Sequence, residues 1–179
     1  MRIYLIGYRC TGKTTIGKIL SEKLNFPFLD IDEQIQLQQN RSIASMVEAF
    51  GWDKFRKLEQ QTLFKTKDNQ NIVISTGGGV VLDLDNRKFL KNHGIIIWLF
   101  AKPEIILQRL RDDEKTDSSR PALTEEGLKS ENFEEGTLIH ITKRDFLYSK
   151  VTQKKFDTSI ETPEEIAEKI KRRISHDRE

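Results

Sequence analysis

One segment near the amino terminus has the residue types and the spacing of a phosphate-binding loop. In GYRCTGKT, residues 7–14, two glycines stand five positions apart and are followed by Lys13 and Thr14. Glycine lets such a loop curl until backbone N–H groups converge on phosphate oxygens at the start of a helix. The lysine neutralises the β- and γ-phosphates, and the threonine hydroxyl is a ligand for Mg²⁺. A chance glycine turn is the alternative, but a predicted strand before the loop and a predicted helix after it favour nucleotide binding.

The residues of this loop are therefore the candidate nucleotide-binding residues. Cys10 occupies a variable position of the pattern, and we interpret it as a small loop residue rather than a nucleophile. The candidates are Gly7, Arg9, Cys10, Thr11, Gly12, Lys13, Thr14 and Thr15.

Two carboxylates, Asp30 and Asp32, follow the second predicted strand. Alternation along a strand predicts that both point to the same side, near the carboxyl edge of the sheet where ligands of α/β proteins bind. One acid is then a candidate for the metal and the other for an acceptor hydroxyl, although capping of the next helix is an alternative. The third predicted strand ends in Ser75 without an aspartate, so Asp30 is the available carboxylate for Mg²⁺.

Glycines and arginines supply the remaining candidate site groups. The segment Gly77-Gly78-Gly79 follows the third predicted strand and leaves backbone open to close approach by a compact ligand, unless it is only a flexible connection. Arg56 and Glu59 stand three positions apart on a predicted helix. Taken alone, that pair and Arg144 read as surface charges of small energetic value.

A long polar insert interrupts the pattern between residues 112 and 136. It contains nine acidic and three basic residues and offers few side chains to a core. Such a segment is typical of a lid or a disordered loop, or of a solvated insert with no role. Arg120 is its one arginine, and a cation on a mobile lid can close over phosphates during transfer.

The elements that must position these residues alternate along the chain. Apolar runs short enough to be parallel strands buried on both faces stand between segments with helical spacing. Helix boundaries are predicted at Ser42, at Gly51, at Gly94 and at a capping box that begins with Thr162. We expect a single α/β domain over 1–179, with a five-stranded parallel sheet flanked by helices. The strands are predicted at Arg2–Ile6, Pro27–Ile31, Ile72–Ser75, Ile95–Phe100 and Lys155–Thr158.

Composition excludes several classes of protein. The chain has 179 residues with 30 Lys and Arg against 28 Asp and Glu, a net charge of +2 that does not suggest nucleic-acid binding. One cysteine excludes a disulfide framework and fits a reducing compartment. The apolar run Ile95–Ala101 is too short to cross a membrane, and the first residues do not form a secretory signal. We expect a cytoplasmic protein without a nucleic-acid or membrane partner.

Two further observations separate the classes of phosphate-loop protein. No Asp-x-x-Gly occurs in the chain, which argues against a GTPase switch. Thr142-Lys143-Arg144-Asp145 is similar to a guanine-reading motif, but its helical spacing argues against that interpretation.

Taken together, the motifs resemble those of shikimate kinase. The segments GYRCTGKT, DID, FRKLE, STGGGV, RPAL and KRDFLY occur in that family's order between Gly7 and Tyr148. The resemblance implies a P-loop fold like that of nucleoside monophosphate kinases, with strand order 2-3-1-4-5 and a mobile lid. It also implies transfer of the γ-phosphate of ATP, with Mg²⁺, to the 3-hydroxyl of shikimate, a step toward chorismate and the aromatic amino acids.

The resemblance also implies a role for each matching residue. Asp32 would bind the ring hydroxyls and act as base, Lys13 and Arg120 would contact the transferred phosphate, and Glu59 would hold Arg56. Arginine suits a carboxylate clamp because its guanidinium binds carboxylates with two parallel hydrogen bonds. The other implied assignments are shikimate binding by Arg56, Arg144, Gly77, Gly78 and Gly79, metal binding by Thr14, Asp30 and Ser75, and adenine stacking by Pro163 and Arg109, with Arg111 as the competitor of Arg109.

Two departures from the family pattern and two rival functions stand beside this hypothesis. Cys10 occupies a position that the family often fills with glycine, and the lid looks longer than usual. The rivals are a related kinase for gluconate or a nucleoside monophosphate, and a nucleotide-binding regulator that has lost catalysis. We expect a monomer with shikimate and ATP as its ligands.

Overall fold

Five strands form one parallel sheet in the order β2-β3-β1-β4-β5. A computed structural model describes the backbone of residues 1–116 and 133–176 and the side chains of residues 1–112 and 134–176. The predicted strand order is confirmed, and the sheet lies between two layers of helices. The strands are β1 (Arg2–Ile6), β2 (Phe28–Asp30), β3 (Ile72–Ser75), β4 (Ile95–Phe100) and β5 (Lys155–Asp157).

Helices connect the strands and cover both faces of the sheet. A short 3₁₀ turn, Thr66–Asp68, follows the third helix. The helices are α1 (Lys13–Leu24), α2 (Ile31–Gln39), α3 (Ile43–Lys65), α4 (Leu84–His93), α5 (Pro103–Thr116), α6 (Phe133–Ser149) and α7 (Pro163–His176).

The central strand β1 explains why the sheet must be covered on both sides. Its side chains alternate between the faces: Ile3 and Leu5 pack with the apolar residues of α1 and α7. Tyr4 and Ile6 pack in the opposite core with residues of α2, α3 and α4. All four are fully buried. A strand that is buried on both faces from its second residue onward fits a parallel sheet that helices cover on both sides.

Most helix boundaries lie where the sequence predicts them. The Ser42 hydroxyl accepts a hydrogen bond from the Ser45 N–H at 3.1 Å and caps α3. Gly51 has φ 75° and ψ 168°, which divides α3 into two helical segments. At α7, the Thr162 N–H donates to the Glu165 carboxylate at 2.9 Å, and the Glu165 N–H donates to the Thr162 hydroxyl at 3.3 Å. The predicted capping box is therefore confirmed.

The predicted strand alternation of Asp30 and Asp32 is wrong. Strand β2 ends at Asp30, and the Asp30 carboxylate caps α2 by accepting hydrogen bonds from the N–H groups of Asp32 at 3.0 Å and Glu33 at 3.3 Å. A short carboxylate side chain can satisfy the first amides of a helix, so the helix begins at once instead of the strand continuing. Strand β2 is one residue shorter at each end than the predicted Pro27–Ile31, and β5 ends one residue before the predicted Thr158.

Both ends of the predicted insert 112–136 are helical. Helix α5 continues to Thr116 and α6 begins at Phe133. Arg120 and the rest of the predicted lid, 117–132, lie outside the described residues. Among the helices in the described ranges, none has the length and apolar character needed to cross a membrane.

Candidate active site

The predicted site residues converge on one cavity at the carboxyl edge of the sheet. Strands β2, β3 and β1 are neighbours, so the segments that follow them surround the same space. Helices α3 and α6 supply the remaining walls, and the cavity volume is about 270 Å³. The predicted residues that line it are Arg9, Cys10, Gly12, Lys13, Thr14, Thr15, Asp30, Asp32, Arg56, Glu59, Ser75, Gly77, Gly78, Gly79 and Arg144.

The phosphate loop, residues 7–14, presents a buried cation at its centre. Lys13 Nζ donates hydrogen bonds to the carbonyl oxygens of Gly7 at 3.0 Å and Tyr8 at 2.7 Å. The Thr11 hydroxyl also donates to the Tyr8 carbonyl, at 2.8 Å. Gly7 and Thr11 therefore shape the loop without lining the cavity. These two carbonyl oxygens hold the Lys13 ammonium in place. When a phosphate binds, its oxygens would replace them as hydrogen-bond acceptors for Lys13.

Three oxygen-bearing side chains stand together beside the loop. The Thr14 hydroxyl donates to Asp30 Oδ2 at 2.7 Å. Asp30 and Ser75 are partners in the register between β2 and β3, and all three line the cavity. Hydroxyl and carboxylate oxygens fit Mg²⁺, which is usually held by one or two protein groups together with substrate phosphates. Within the described ranges no group of three His, Cys, Asp or Glu could hold a metal ion.

Another wall of the cavity carries an ion pair whose carboxylate is buried. Arg56 Nη1 lies 2.7 Å from Glu59 Oε2, and the Glu59 side chain is fully buried. Gly77 and Gly79 make this arrangement possible, because a β-carbon at Gly77 would overlap Glu59 and one at Gly79 would overlap Arg56. The pair is therefore more than the exposed surface contact that its spacing alone suggests.

Arg144 reaches the same cavity from α6. The side chain is 7% exposed, and its guanidinium carbon lies 5.3 Å from the ring centre of Tyr8. The cavity holds four cations, Arg9, Lys13, Arg56 and Arg144, and three carboxylates, Asp30, Asp32 and Glu59. Glu59 pairs with Arg56 and Asp30 caps α2, so much of the negative charge is already engaged. The cavity, with its four cations, can therefore bind anions.

The predicted adenine residues lie outside the cavity lining. On α5, Arg109 donates to the Cys10 carbonyl at 3.2 Å and to the Thr158 carbonyl at 2.6 Å. It thus links the phosphate loop to the segment that leads to Pro163. The competing Arg111 forms an ion pair with Glu134 on α6. These contacts favour Arg109 over Arg111 as the residue beside the nucleotide site.

Four further residues line the cavity although sequence reasoning did not predict them: Ile43, Trp52, Phe55 and Thr76. The Arg56 guanidinium carbon lies 5.2 Å from the Trp52 ring and 5.4 Å from the Phe55 ring. Trp52 and Arg56 are four positions apart on α3, and this spacing was the signal that could have identified Trp52.

The unusual cysteine of the loop adopts a left-handed backbone conformation. Cys10 has φ 61°, a region that side chains disfavour and glycine adopts freely. Glycine would adopt this conformation without a steric penalty from a β-carbon. Cys10 therefore places backbone strain next to the phosphate site.

Comparisons with known proteins agree with this geometry. The family model described as shikimate kinase matches residues 9–175. Shikimate kinase 2 of Yersinia enterocolitica is 38% identical over 168 residues, which cover 94% of this chain and 92% of the relative. The chain belongs to the shikimate kinase family. The shikimate kinase of Caldicellulosiruptor saccharolyticus is 39% identical with the same coverage of both chains.

A solved shikimate kinase also has the same fold. The structure of the Acinetobacter baumannii shikimate kinase in complex with shikimate has a TM-score of 0.88 and 33% identity, and the match covers 98% of this chain and 93% of that one. Shikimate kinases are phosphotransferases that use ATP with Mg²⁺ as the phosphoryl donor. The phosphate loop and the oxygen cluster of Thr14, Asp30 and Ser75 fit these two cofactors.

Proposed function

We propose that this shikimate kinase transfers the γ-phosphoryl group of ATP to the 3-hydroxyl of shikimate within the described cavity. The observation that carries the proposal is the convergence of Lys13, Asp32, Arg56 and Arg144 on one space. These four groups come from different segments of the chain. Binding of a nucleotide alone would require only Lys13, so the presence of the other three in the same cavity favours a second substrate. Their arrangement provides a cation for phosphate, a proton acceptor and two cations for a carboxylate.

The chemical step that we propose is an in-line displacement. Asp32 orients the acceptor hydroxyl and takes its proton as the oxygen attacks the γ-phosphorus. The new bond joins the acceptor oxygen to phosphorus, the bond between phosphorus and the β,γ-bridging oxygen breaks, and ADP leaves. Lys13 stabilises the charge on the transferred group, and on this proposal Arg120 of the lid does the same.

Mg²⁺ neutralises charge on the β- and γ-phosphates when it is bound. Thr14 is the proposed direct ligand, and Asp30 and Ser75 are proposed to hold the ion through water. The 2.7 Å hydrogen bond between Thr14 and Asp30 supports this assignment, because it already orients two oxygens toward the same position.

Arg56 and Arg144 are the proposed clamp for the carboxylate of shikimate. Each lines the cavity, and the buried Glu59 holds Arg56 in a fixed orientation. Gly77, Gly78 and Gly79 form the proposed wall against the ring. A clamp that holds the acid fixes the distance between the acceptor hydroxyl and the phosphate, which lowers the entropic part of the barrier.

The insert, the adenine-binding residues and the oligomeric state complete the proposed function. We propose that the chain is a single kinase domain and that the insert predicted at residues 112–136 acts as its lid, although residues 117–132 lie outside the described residues. Arg109 and Pro163 stack on adenine. The protein is further proposed to act as a cytoplasmic monomer without a nucleic-acid or membrane partner. Its small net charge supports the absence of nucleic-acid binding, and its single cysteine supports a reducing compartment.

An assay of ADP release with a panel of acceptors tests the proposed function. We expect turnover with shikimate and MgATP and background rates with gluconate and with nucleoside monophosphates. Preferred turnover of gluconate or a nucleotide would identify a related kinase instead. Absence of turnover with every acceptor, in a folded protein that binds ATP, would identify a regulator.

The variant Lys13→Ala shows whether the phosphate loop performs the reaction. We expect kcat to fall on the order of 100-fold or more, because a charge stabiliser of the transition state is lost. Lys18→Ala is the matched control, since Lys18 lies on the same helix with an exposed side chain and does not line the cavity.

A further inference from the structure

Three segments of the cavity meet around two buried tyrosines. Tyr148 follows Arg144 by one turn of α6 and is fully buried. Its hydroxyl donates a 2.6 Å hydrogen bond to the carbonyl oxygen of Gly78, 70 positions away in the chain. This bond joins the helix that carries Arg144 to the glycine segment 77–79.

The glycine segment in turn rests on the phosphate loop. A β-carbon at Gly78 would lie 3.3 Å from the Arg9 nitrogen and 3.6 Å from the carbonyl carbon of Tyr8. The two backbones are therefore in close contact, and a displacement of one requires a displacement of the other.

The second tyrosine completes the connection from the phosphate loop back to α6. The Tyr8 side chain is 1% exposed, and its ring lies 5.3 Å from the Arg144 guanidinium carbon. A guanidinium over an aromatic face is attracted by the ring, most strongly where water is excluded. The carbonyl oxygen of the same residue accepts the 2.7 Å hydrogen bond from Lys13. Tyr8 thus touches the cations proposed for the phosphate and for the carboxylate.

Both tyrosines remain neutral over the physiological range. Burial raises the pKa of Tyr148 well above its usual range, so its hydroxyl stays protonated and continues to donate to Gly78. Burial also raises the pKa of Tyr8, against a smaller lowering by Arg144. Among the described residues, the Tyr8 hydroxyl has no hydrogen-bond partner, so its ring is the part that contributes to the contact with Arg144.

We infer that Tyr8 and Tyr148 are positioning residues that hold Arg144 and Gly78 in register with the phosphate loop and thereby set the affinity for the acceptor's carboxylate. We call Tyr8, Gly78, Arg144 and Tyr148 the tyrosine junction. The inference rests on the proposed function, in which Arg144 binds the carboxylate. On this inference neither tyrosine contacts shikimate. Each affects shikimate binding by holding a residue that does, Gly78 for Tyr148 and Arg144 for Tyr8.

Three substitutions test the junction by steady-state kinetics. Tyr148→Phe removes the hydroxyl and keeps the ring, and Tyr8→Leu removes the aromatic face. We expect each to raise KM for shikimate about three- to tenfold, which corresponds to one neutral hydrogen bond or one cation–π contact, with kcat and KM for ATP within about twofold of wild type. Tyr8→Phe keeps the ring and should leave KM for shikimate within about twofold.

Tyr4→Phe is the matched control. Tyr4 is as buried as Tyr148, and its hydroxyl hydrogen-bonds to the Thr66 hydroxyl at 2.9 Å in another part of the core. Its loss should lower Tm to a similar extent and leave KM for shikimate unchanged, because a purely structural effect does not distinguish the two substrates. If Tyr148→Phe does not fold, the comparison of Tyr8→Leu with Tyr8→Phe decides the inference.

The possible results separate this inference from the proposed function. A folded wild-type protein that does not phosphorylate shikimate overturns both. With an active wild type, a KM for shikimate within twofold in both Tyr148→Phe and Tyr8→Leu overturns the inference alone. So does an equal rise in KM for Tyr4→Phe. A rise confined to Tyr148→Phe and Tyr8→Leu supports it.

Discussion

Several charged side chains of the cavity are held by contacts within the protein before any ligand binds. Lys13 donates to two carbonyl oxygens, Arg56 pairs with the buried Glu59, and Asp30 caps a helix. Each contact limits the rotamers of a long or charged side chain, so less conformational entropy is lost when the substrates bind. At the scale of single residues, this part of the site is therefore preorganised.

Asp32→Asn should lower kcat on the order of 100-fold or more. The amide keeps the shape of the side chain and cannot accept the proton of the attacking hydroxyl. ADP release with saturating shikimate and MgATP measures the effect. Glu33→Gln is the control, since Glu33 is the next residue of α2 and has an exposed side chain. Near-normal kcat in Asp32→Asn would remove Asp32 from the role of base.

Glu59→Gln should raise KM for shikimate on the order of tenfold and lower Tm. The neutral amide weakens the charge-assisted hydrogen bond that orients Arg56, a contact worth roughly 1.5–3 kcal/mol in proteins. The Arg56 side chain is 25% exposed, so partial hydration places the effect near the lower end of that range. Glu48→Gln, an exposed carboxylate on α3, is the control. An unchanged KM would show that Arg56 needs no partner.

At the scale of elements, the start of helix α7 is fixed by hydrogen bonds in its first turn. Its apolar residues Ile166, Ala167, Ile170 and Ile174 are buried against α1 and the sheet. The capping box of Thr162 and Glu165 sets where the helix begins and thus which face it buries. Since the Glu165 carboxylate takes part in these hydrogen bonds, the stability of this element varies with pH.

The contribution of Glu165 should disappear in acid. Hydrogen bonds from the backbone N–H and then the hydroxyl of Thr162 lower the pKa of Glu165 below its ordinary value of 4.5. A group with a lowered pKa in the folded state stabilises the fold above the unfolded pKa and loses this effect as pH falls. The difference in Tm between wild type and Glu165→Gln should be largest near pH 7 and shrink below pH 4.5.

Thermal melts of wild type, Glu165→Gln and Glu164→Gln from about pH 7 to about pH 2.5, a range that extends below the lowered pKa of Glu165, would measure this difference. Glu164 is an exposed carboxylate in the same turn, so its variant controls for the loss of a negative charge near a helix amino terminus. An equal Tm difference for the two variants at every pH would assign the effect to the helix dipole instead of the capping box.

For the molecule as a whole, the cavity links strands and helices from both halves of the chain. Segments after β1, β2 and β3 and residues of α3 and α6 line it together. A ligand that contacts all of them binds only the folded state and must stabilise it by mass action. At a given ligand concentration, the size of that effect reports the affinity of the ligand for the folded protein.

MgATP should raise Tm more than ATP with a chelator. Binding at 100-fold excess over Kd stabilises a fold by about 2.7 kcal/mol, and Thr14→Ala should remove most of the difference that Mg²⁺ makes. Mg²⁺ alone should leave Tm unchanged, and chelation should abolish turnover. Thr142→Ala, which removes an exposed helical hydroxyl on α6, is the control. A Tm with MgATP equal to that with chelated ATP would contradict the proposed metal site.

Local features of this protein were predictable because they depend on residues a few positions apart. The phosphate loop, the cap at Ser42, the division of a helix at Gly51 and the box at Thr162 each rest on side chains next to the backbone they affect. The error at Asp30 arose at the same range, because the strand pattern and the capping pattern compete over adjacent residues. Motif order along the chain was specific enough to indicate the family.

The sequence by itself thus determined the elements, the phosphate loop and the resemblance to one family of kinases. Only the tertiary structure decided that Glu59 is fully buried beneath Gly77, and that Tyr8 and Tyr148 meet Arg144 beside Gly78. Such contacts join residues far apart in the chain, and spacing carries no information about them. They arise because parallel pairing places β3 beside β1 and thereby brings the segments that follow both strands together at one edge of the sheet.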